Sequence, residues 1–267
     1  MLQFYADKFV AITGLLAKLT ENYADGLRDA ESISPNSVMS WLSEIRHICA
    51  DTGLEYAVMK IDSLEKSLTH GFITIRSELH PHLIDLEGRI YDELKTRFFL
   101  TISSEKAKFY ETTNLFGNDV LNNFASAGFD IEEAGKCFAT SRFTACVMHL
   151  QRVLEVSLKA YGLYLGIAAL VPGTQPSWNK ILDQTRNEIK ERNDKKIPTK
   201  TWHSTKEKDF CEGLQPFLEA VKIAWRNPSM HADAKYTEDE ADDIFSVVKR
   251  FMKHLAKHLD EKGSFTP

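Results

Sequence analysis

The sequence is poor in helix breakers and in long apolar runs. Of its 267 residues only 13 are glycine and 8 are proline. Alternation of apolar and polar residues, which is typical of half-buried strands, is almost missing. The longest apolar stretch, around 165–171, is far too short for a membrane helix of about 20 residues. These features disfavour a β-sheet protein and a membrane-spanning protein, and they predict an all-α fold.

Cysteine is also scarce, and the four cysteines do not have the C-x-x-C spacing of zinc or redox sites. The histidine pairs at 80/82 and 254/258 have no cysteine or carboxylate partner at a familiar ligand spacing. We therefore expect no metal and no cofactor. Residues 1–13 include Asp7 and lack a basic stretch followed by an apolar core, so a cytoplasmic protein without a signal peptide is predicted.

The charge balance argues against a protein that coats nucleic acid, because the formal net charge is −5. A local basic groove is still compatible with this charge. Residues 186–208 hold eight Lys/Arg against four Asp/Glu, and the C-terminal segment is also rich in lysine. A run of charge is more often a solvated face, and this is the better interpretation of each segment by itself. The candidate RNA-binding residues in the two segments are Lys195, Lys196, Lys200, Trp202, Lys249, Arg250 and Lys253.

Residues 1–125 predict amphipathic helices but no recognisable chemistry. Ser34-Pro35 is expected to open a helix to about Ala50, and Asp51 to cap another to about Glu78. His80-Pro81 is expected to break the chain before a helix that ends near Arg97. Phe98–Ile102 could be extended. A sensor, a dimerisation platform and a lid are equally open roles for this region.

The second half, residues 130–262, predicts a domain of four helices at 131–165, 177–192, 205–226 and 238–260. Ser177 is expected to cap the second helix. Capping boxes at Ser204/Glu207 and Thr237/Glu240 are expected to open the third and fourth. The third helix should end at Arg226, because the residue before a proline is pushed out of helical angles.

The segment Ala224–His231, in which four residues separate Arg226 from His231, resembles the Arg-x(4–6)-His motif of the HEPN superfamily. Residues 133–137 and 145–155 are similar to the first long helix of bacterial HEPN-like proteins, and Tyr236–Phe245 is similar to the segment after their motif. The resemblance covers roughly the second half of the chain. It implies a HEPN-like bundle, a metal-independent endoribonuclease of the toxin or phage-defence type, and a homodimer in which both motifs line one cleft.

Metal-free RNA cleavage needs a base for the 2′-hydroxyl proton and a positive group for the charge that develops on the phosphoryl oxygens. Histidine titrates near neutrality and arginine offers a planar fork of donors. His231 is therefore assigned as general base or acid and Arg226 as phosphate clamp, with Asn227 as a further amide donor. The alternative is an arginine that satisfies the last carbonyls of its helix and a solvated loop histidine.

Two other features bear on the motif. The resemblance implies an acidic residue near Arg152 and Glu155 that steadies the motif arginine, whereas these two side chains could equally form a solvated ion pair one turn apart. His149 is interpreted as a hydrogen-bonded core residue. Some family members carry a regulatory tyrosine two residues after the histidine, where this chain has Asp233.

Three functions are compatible with these patterns. The Arg226/His231 pair favours the ribonuclease. The overall acidity favours a non-catalytic HEPN-like module that binds RNA, a nucleotide or a protein, or a helical scaffold in a defence or regulatory assembly. If an antitoxin or regulatory protein controls the activity, it is expected on another chain.

Overall fold

The computed structural model shows an all-α protein, which confirms the predicted fold class. It describes residues 7–23, 30–97, 99–167, 170, 176–194, 196–197, 199–229 and 233–266. The helices are, in chain order, α1 (Asp7–Asn22), α2 (Pro35–Asp51), α3 (Glu55–Thr69), α4 (Arg76–Lys95), α5 (Ser104–Glu111), α6 (Asn118–Asn123), α7 (Gly128–Ala139), α8 (Phe143–Tyr164), α9 (Trp178–Asn193), α10 (Thr205–Val221), α11 (Asn227–Ser229) and α12 (Glu238–Leu255). A 3-10 turn, Ala125–Ala127, precedes α7, and a π-helical segment, Lys222–Arg226, follows α10.

Strand pairing in the described ranges is limited to two isolated bridges, Ser32 with Ile75 and Leu259 with Phe265. Of the segment Phe98–Ile102, which the sequence allowed to be extended, Phe98 lies outside the described residues and the rest forms no strand. Among the helices that the structure describes, none combines the length and the apolar character that crossing a membrane requires.

The chain divides between Phe99 and Leu100 into two compact units, each with its own core. In the first unit α1 packs on α2, α2 on α3, α3 on α4, and α4 returns to α1. This closed order is a four-helix bundle. Its core consists of aliphatic side chains at helical spacing, for example Leu42 and Ile45 on α2 and Leu79, Leu83 and Leu86 on α4.

Two predictions in the first unit are wrong. One helix was expected from Asp51 to Glu78. The structure has two helices there, α3, which begins at Glu55, and the start of α4. Gly71, with φ of 72°, lies between α3 and α4. Pro81 does not break the chain but lies inside α4. The apolar stripe of α4 explains this, because Leu79 and Leu83 on either side of the proline are both fully buried. Their burial outweighs the loss of one backbone hydrogen bond.

The second unit is organised around α8, which packs against α7, α9 and α12. Helix α10 packs on α9, α5 on α7, and α6 on α12. The sequence placed the start of this domain at about 130, whereas the structure assigns everything from Leu100 onward to it. The residues just before 130 belong to its core, since Phe116, Val120 and Phe124 are fully buried there.

The predicted long helix 131–165 is wrong, because α7 and α8 form a hairpin with a break at Thr140–Arg142. Ser141 has φ of 59°, the Arg142 N–H donates to the Cys137 carbonyl at 2.7 Å, and the Ser141 N–H donates to Phe138 at 3.1 Å. This is a Schellman motif with serine where glycine is usual. No glycine marks this break in the sequence, so the apolar periodicity predicts a single helix.

Helix starts in the second unit follow their capping residues. Ser177 accepts a hydrogen bond from the Lys180 N–H, and Ser204 accepts one from the Glu207 N–H at 3.1 Å. Thr237 and Glu240 form the complete capping box of α12. The caps at Ser177 and Ser204 and the box at Thr237/Glu240 are confirmed. The box predicted at Ser204/Glu207 is incomplete, because the Glu207 carboxylate accepts from the His203 N–H and not from that of Ser204. Helix α12 ends at Leu255 rather than near 260, and the chain after it turns back through the Leu259–Phe265 bridge.

Candidate functional site

Arg226 ends the π-helical segment that continues α10. The sequence predicted that the helix stops at Arg226, but Asn227 keeps helical angles, φ −64° and ψ −48°, and α11 follows. The Asn227 N–H donates to the Lys222 carbonyl, five residues back. In an α-helix the ring of Pro228 would meet the carbonyl four residues back. The wider π turn accommodates the proline without ending the helix.

Tyr236 contacts both the π-helical segment and α8. Its hydroxyl donates to the Trp225 carbonyl at 3.3 Å, next to Arg226. Its backbone N–H donates to Thr144 Oγ1, in the first turn of α8, at 3.2 Å. Burial, and then the Glu240 carboxylate, raises the pKa of Tyr236, so its phenol stays a donor. The backbone beside Arg226 is thereby tied to the start of α8.

The second member of the predicted pair, His231, lies outside the described residues, as does Lys195. Arg226 is partly buried and Asn227, the predicted amide donor, is exposed beside it. The pairing of Arg226 with His231 therefore stays a prediction.

On α8, Arg152 and Glu155 each pair with a residue other than the one that the sequence suggested. Arg152 does not pair with Glu155 but donates from Nε to Asp130 Oδ1 at 2.7 Å. Glu155 pairs with Lys159, four residues on, at 2.9 Å. The sequence allowed an ion pair between Arg152 and Glu155 as the alternative. In the structure Arg152 instead contacts α7, and Glu155 contacts Lys159 along α8.

A cluster of three ionisable side chains joins α7 to α8. Asp130 is 5% exposed and accepts from His149 Nδ1 at 2.8 Å as well as from Arg152. The sequence interpretation of His149 as a hydrogen-bonded residue is confirmed, although its side chain is 26% exposed rather than enclosed. Sequence reasoning missed Asp130 because the hairpin that brings it to His149 was read as one continuous helix.

Part of the basic segment 186–208 is neutralised by nearby carboxylates. Lys200 Nζ lies 2.6 Å from both Glu188 and Glu191, which raise the pKa of its ammonium group. Trp202 donates from its indole to the Asn193 side chain at 2.9 Å. Lys196 is exposed. Lys200 and Trp202, predicted to bind RNA, are engaged within the fold.

A second group of lysines differs from this segment. Burial, and then repulsion from Lys253 and Lys108, lowers the pKa of Lys249. Within the described part of the chain these three lysines form no ion pair with a carboxylate. We call Lys108, Lys249 and Lys253 the α5/α12 lysine patch. Arg250 donates from Nε to the Ser246 carbonyl at 3.4 Å and is exposed.

Thiol and metal chemistry find little support in the described ranges. The four cysteines are free, and burial raises the pKa of Cys49, Cys146 and Cys211 to about 12 each. Those three thiols are therefore protonated near neutrality and poor nucleophiles. No group of three or more His, Cys, Asp or Glu side chains within these ranges has the arrangement of a metal site.

No protein-family model matches the chain, and neither the curated proteins nor the solved structures include a match.

Proposed function

We propose that this chain is a metal-independent endoribonuclease with a HEPN-like second unit, in which Arg226 and His231 act on the scissile phosphodiester. The observation that carries the proposal is the π-helical segment ending at Arg226. Such segments are rare, and they occur frequently at functional sites. The segment ends at the motif arginine, five residues before His231 in the sequence.

The proposed reaction needs only groups from the chain and the RNA. His231 takes the proton of the 2′-hydroxyl, the 2′-oxygen attacks the adjacent phosphorus, and the bond from phosphorus to the 5′-oxygen breaks. The imidazolium returns this proton to the leaving 5′-oxygen, so the products are a 2′,3′-cyclic phosphate and a 5′-hydroxyl. The Arg226 guanidinium stabilises the charge on the non-bridging oxygens.

The α5/α12 lysine patch supports RNA as the substrate. Its three ammonium groups repel one another and are not offset by described carboxylates, so an incoming phosphate backbone would be attracted to them. The acidic chain as a whole is compatible with this, because local charge decides where an anion binds. We further propose a homodimer and an antitoxin or regulatory protein on another chain, on the resemblance of the motif region.

The test is cleavage of a defined RNA in EDTA by wild type, Arg226→Ala and His231→Ala. Loss of the general base is expected to slow cleavage by about 10²–10⁴-fold, and loss of the clamp by about 10²–10³-fold. Induced expression of wild type, but of neither variant, is expected to arrest growth.

Arg186→Ala and His47→Ala are matched controls. Arg186 is an exposed arginine bound to Glu219, and the His47 side chain is 78% exposed in the first unit. Both should cleave like wild type. Equal rates for all five proteins, or products that lack a cyclic phosphate, would contradict the proposed mechanism.

A non-catalytic binding module is the second candidate. It is favoured by the partial neutralisation of segment 186–208, in which Arg186, Arg192 and Lys200 pair with carboxylates. This candidate predicts RNA or nucleotide binding without turnover. The same cleavage assay, combined with a binding measurement, separates the two.

A further inference from the structure

The cluster of Asp130, His149 and Arg152 has the composition of a phosphate site, and the cleavage proposed above does not use it. Asp130 lies in the first turn of α7 with its side chain 7% exposed. An enclosed carboxylate is unfavourable unless it is paired and hydrogen-bonded. Its Oδ1 atom accepts from both His149 and Arg152, so both side chains are anchored on one atom.

The contact to Asp130 fixes the tautomer of His149. An ionised carboxylate only accepts hydrogen bonds, so Nδ1 of the imidazole carries the proton. The other ring nitrogen, Nε2, makes no hydrogen bond to any residue that the structure describes, and the side chain is 26% exposed. Nε2 is thus available to accept a proton from a ligand or, once protonated, to donate to it.

Arg152 uses only part of its donor set. Its Nε is bound to Asp130, whereas its two terminal amino groups have no partner in the described ranges and the side chain is 66% exposed. Being three residues after His149, it lies on the adjoining turn of α8. Its acidic neighbour Glu155 is paired with Lys159, so that carboxylate does not neutralise the guanidinium.

An aromatic ring borders the cluster. Phe129 is 66% exposed, and its ring centroid lies 6.4 Å from that of His149 in an edge-on arrangement. A large apolar side chain exposed beside an arginine and a histidine is a surface on which a nucleobase can stack.

We propose that Arg152 and His149, held by Asp130, bind a phosphate group whose nucleobase stacks on Phe129. Arg152 contributes the fork of donors and His149 Nε2 the second contact, while the buried carboxylate positions both. The phosphate belongs to a nucleotide, which is either free or part of a single strand.

The test is a binding titration with a fluorescent 2′-O-methyl RNA oligonucleotide and, separately, with 5′-AMP as competitor. The 2′-O-methyl group blocks attack by the 2′-oxygen, so binding is measured whether or not the chain cleaves RNA. Arg152→Ala is expected to weaken binding about tenfold, as loss of a charge-assisted contact does. It should also lower the slope of log affinity against log salt by about one. Competition by 5′-AMP would identify a free nucleotide as ligand, and binding of the strand alone would identify a nucleic acid.

Two further variants separate this role from a purely structural ion pair. His149→Asn keeps a donor near the position of Nδ1 but lacks Nε2, and is expected to weaken binding several-fold. Phe129→Ala, at an exposed position, is expected to weaken binding at least fivefold.

The matched control is Arg186→Ala, which removes an arginine that also binds carboxylates but has no histidine beside it. It should bind like wild type. Failure of wild type to bind either probe, or equal weakening by Arg152→Ala and Arg186→Ala, would overturn the proposal. Neither result bears on cleavage by Arg226 and His231, which is measured with unmodified RNA.

Discussion

At the scale of single residues, Asp130 has the most consequential environment. Its side chain is 7% exposed, and its carboxylate accepts hydrogen bonds from two side chains of α8. Hydrogen bonds that involve charged groups contribute more to stability than neutral ones do. Asp130 therefore both positions His149 and Arg152 and ties α7 to α8.

Asp130→Ala is expected to lower the free energy of unfolding by about 1–3 kcal/mol, because two charge-assisted hydrogen bonds are lost. Arg152 is mostly exposed, so the cation left behind regains water and the loss stays below that of a fully buried pair. Urea denaturation measures it. Asp183→Ala is the control, since Asp183 pairs with Arg186 but its side chain is 62% exposed. This control should change stability by about 0.5 kcal/mol or less, and equal losses in both variants would contradict the prediction.

At the scale of helices, two glycines differ in whether there is space for a side chain. A Cβ added at Gly135 on α7 would lie 2.3 Å from a Leu115 methyl and 2.5 Å from the Phe109 backbone oxygen. A Cβ added at Gly213 on α10 would meet no atom of the described residues within 4 Å. The first glycine permits close approach of α5 to α7, whereas no described neighbour requires a glycine at the second position.

Gly135→Ala is expected to destabilise the second unit by about 1–3 kcal/mol through overpacking. Gly213→Ala is expected to stabilise it by about 0.5–1 kcal/mol, because alanine is the better helix former. A Trp41→Phe background leaves tryptophan only in the second unit, so fluorescence-monitored urea denaturation reports on that unit. Shifts of the same sign would show that the α5–α7 approach is looser than described.

Some helix ends could be predicted from the residues next to them, and others could not. Ser177, Ser204 and Thr237 cap their helices as predicted, because a cap depends on neighbours a few residues away. The break at Ser141 was missed, because its left-handed conformation occurs without glycine. The continuation of the helix past Arg226 was missed because a π turn carries no sequence signature comparable to a cap.

At the scale of the whole molecule, the two separate cores make the boundary at Leu100 testable. A fragment beginning at Leu100 keeps every residue of the second core. A fragment beginning at Asp130, the boundary that the sequence favoured, loses the buried side chains Leu115, Phe116, Val120, Phe124 and Ala127.

The fragment 100–267 is expected to be helical and to unfold cooperatively in urea, as followed by circular dichroism. The fragment 130–267 should show a broad transition or none, because burying a side chain of the size of phenylalanine contributes about 1.5–3 kcal/mol and several are removed. A cooperative transition in the shorter fragment with unchanged midpoint would place the boundary at 130 after all.

The sequence by itself determined the all-α class, the caps of the later helices and the Arg226/His231 hypothesis, because these depend on spacing within one or two turns. Only the tertiary structure decided the division at Leu100, the helical path through Pro81 and the meeting of Asp130 with His149 and Arg152. Each of these depends on what packs against a segment from elsewhere in the chain. In α4, burial of an apolar stripe outweighed the helix-breaking effect of Pro81. The α7–α8 hairpin brought together residues that a single continuous helix would have kept apart.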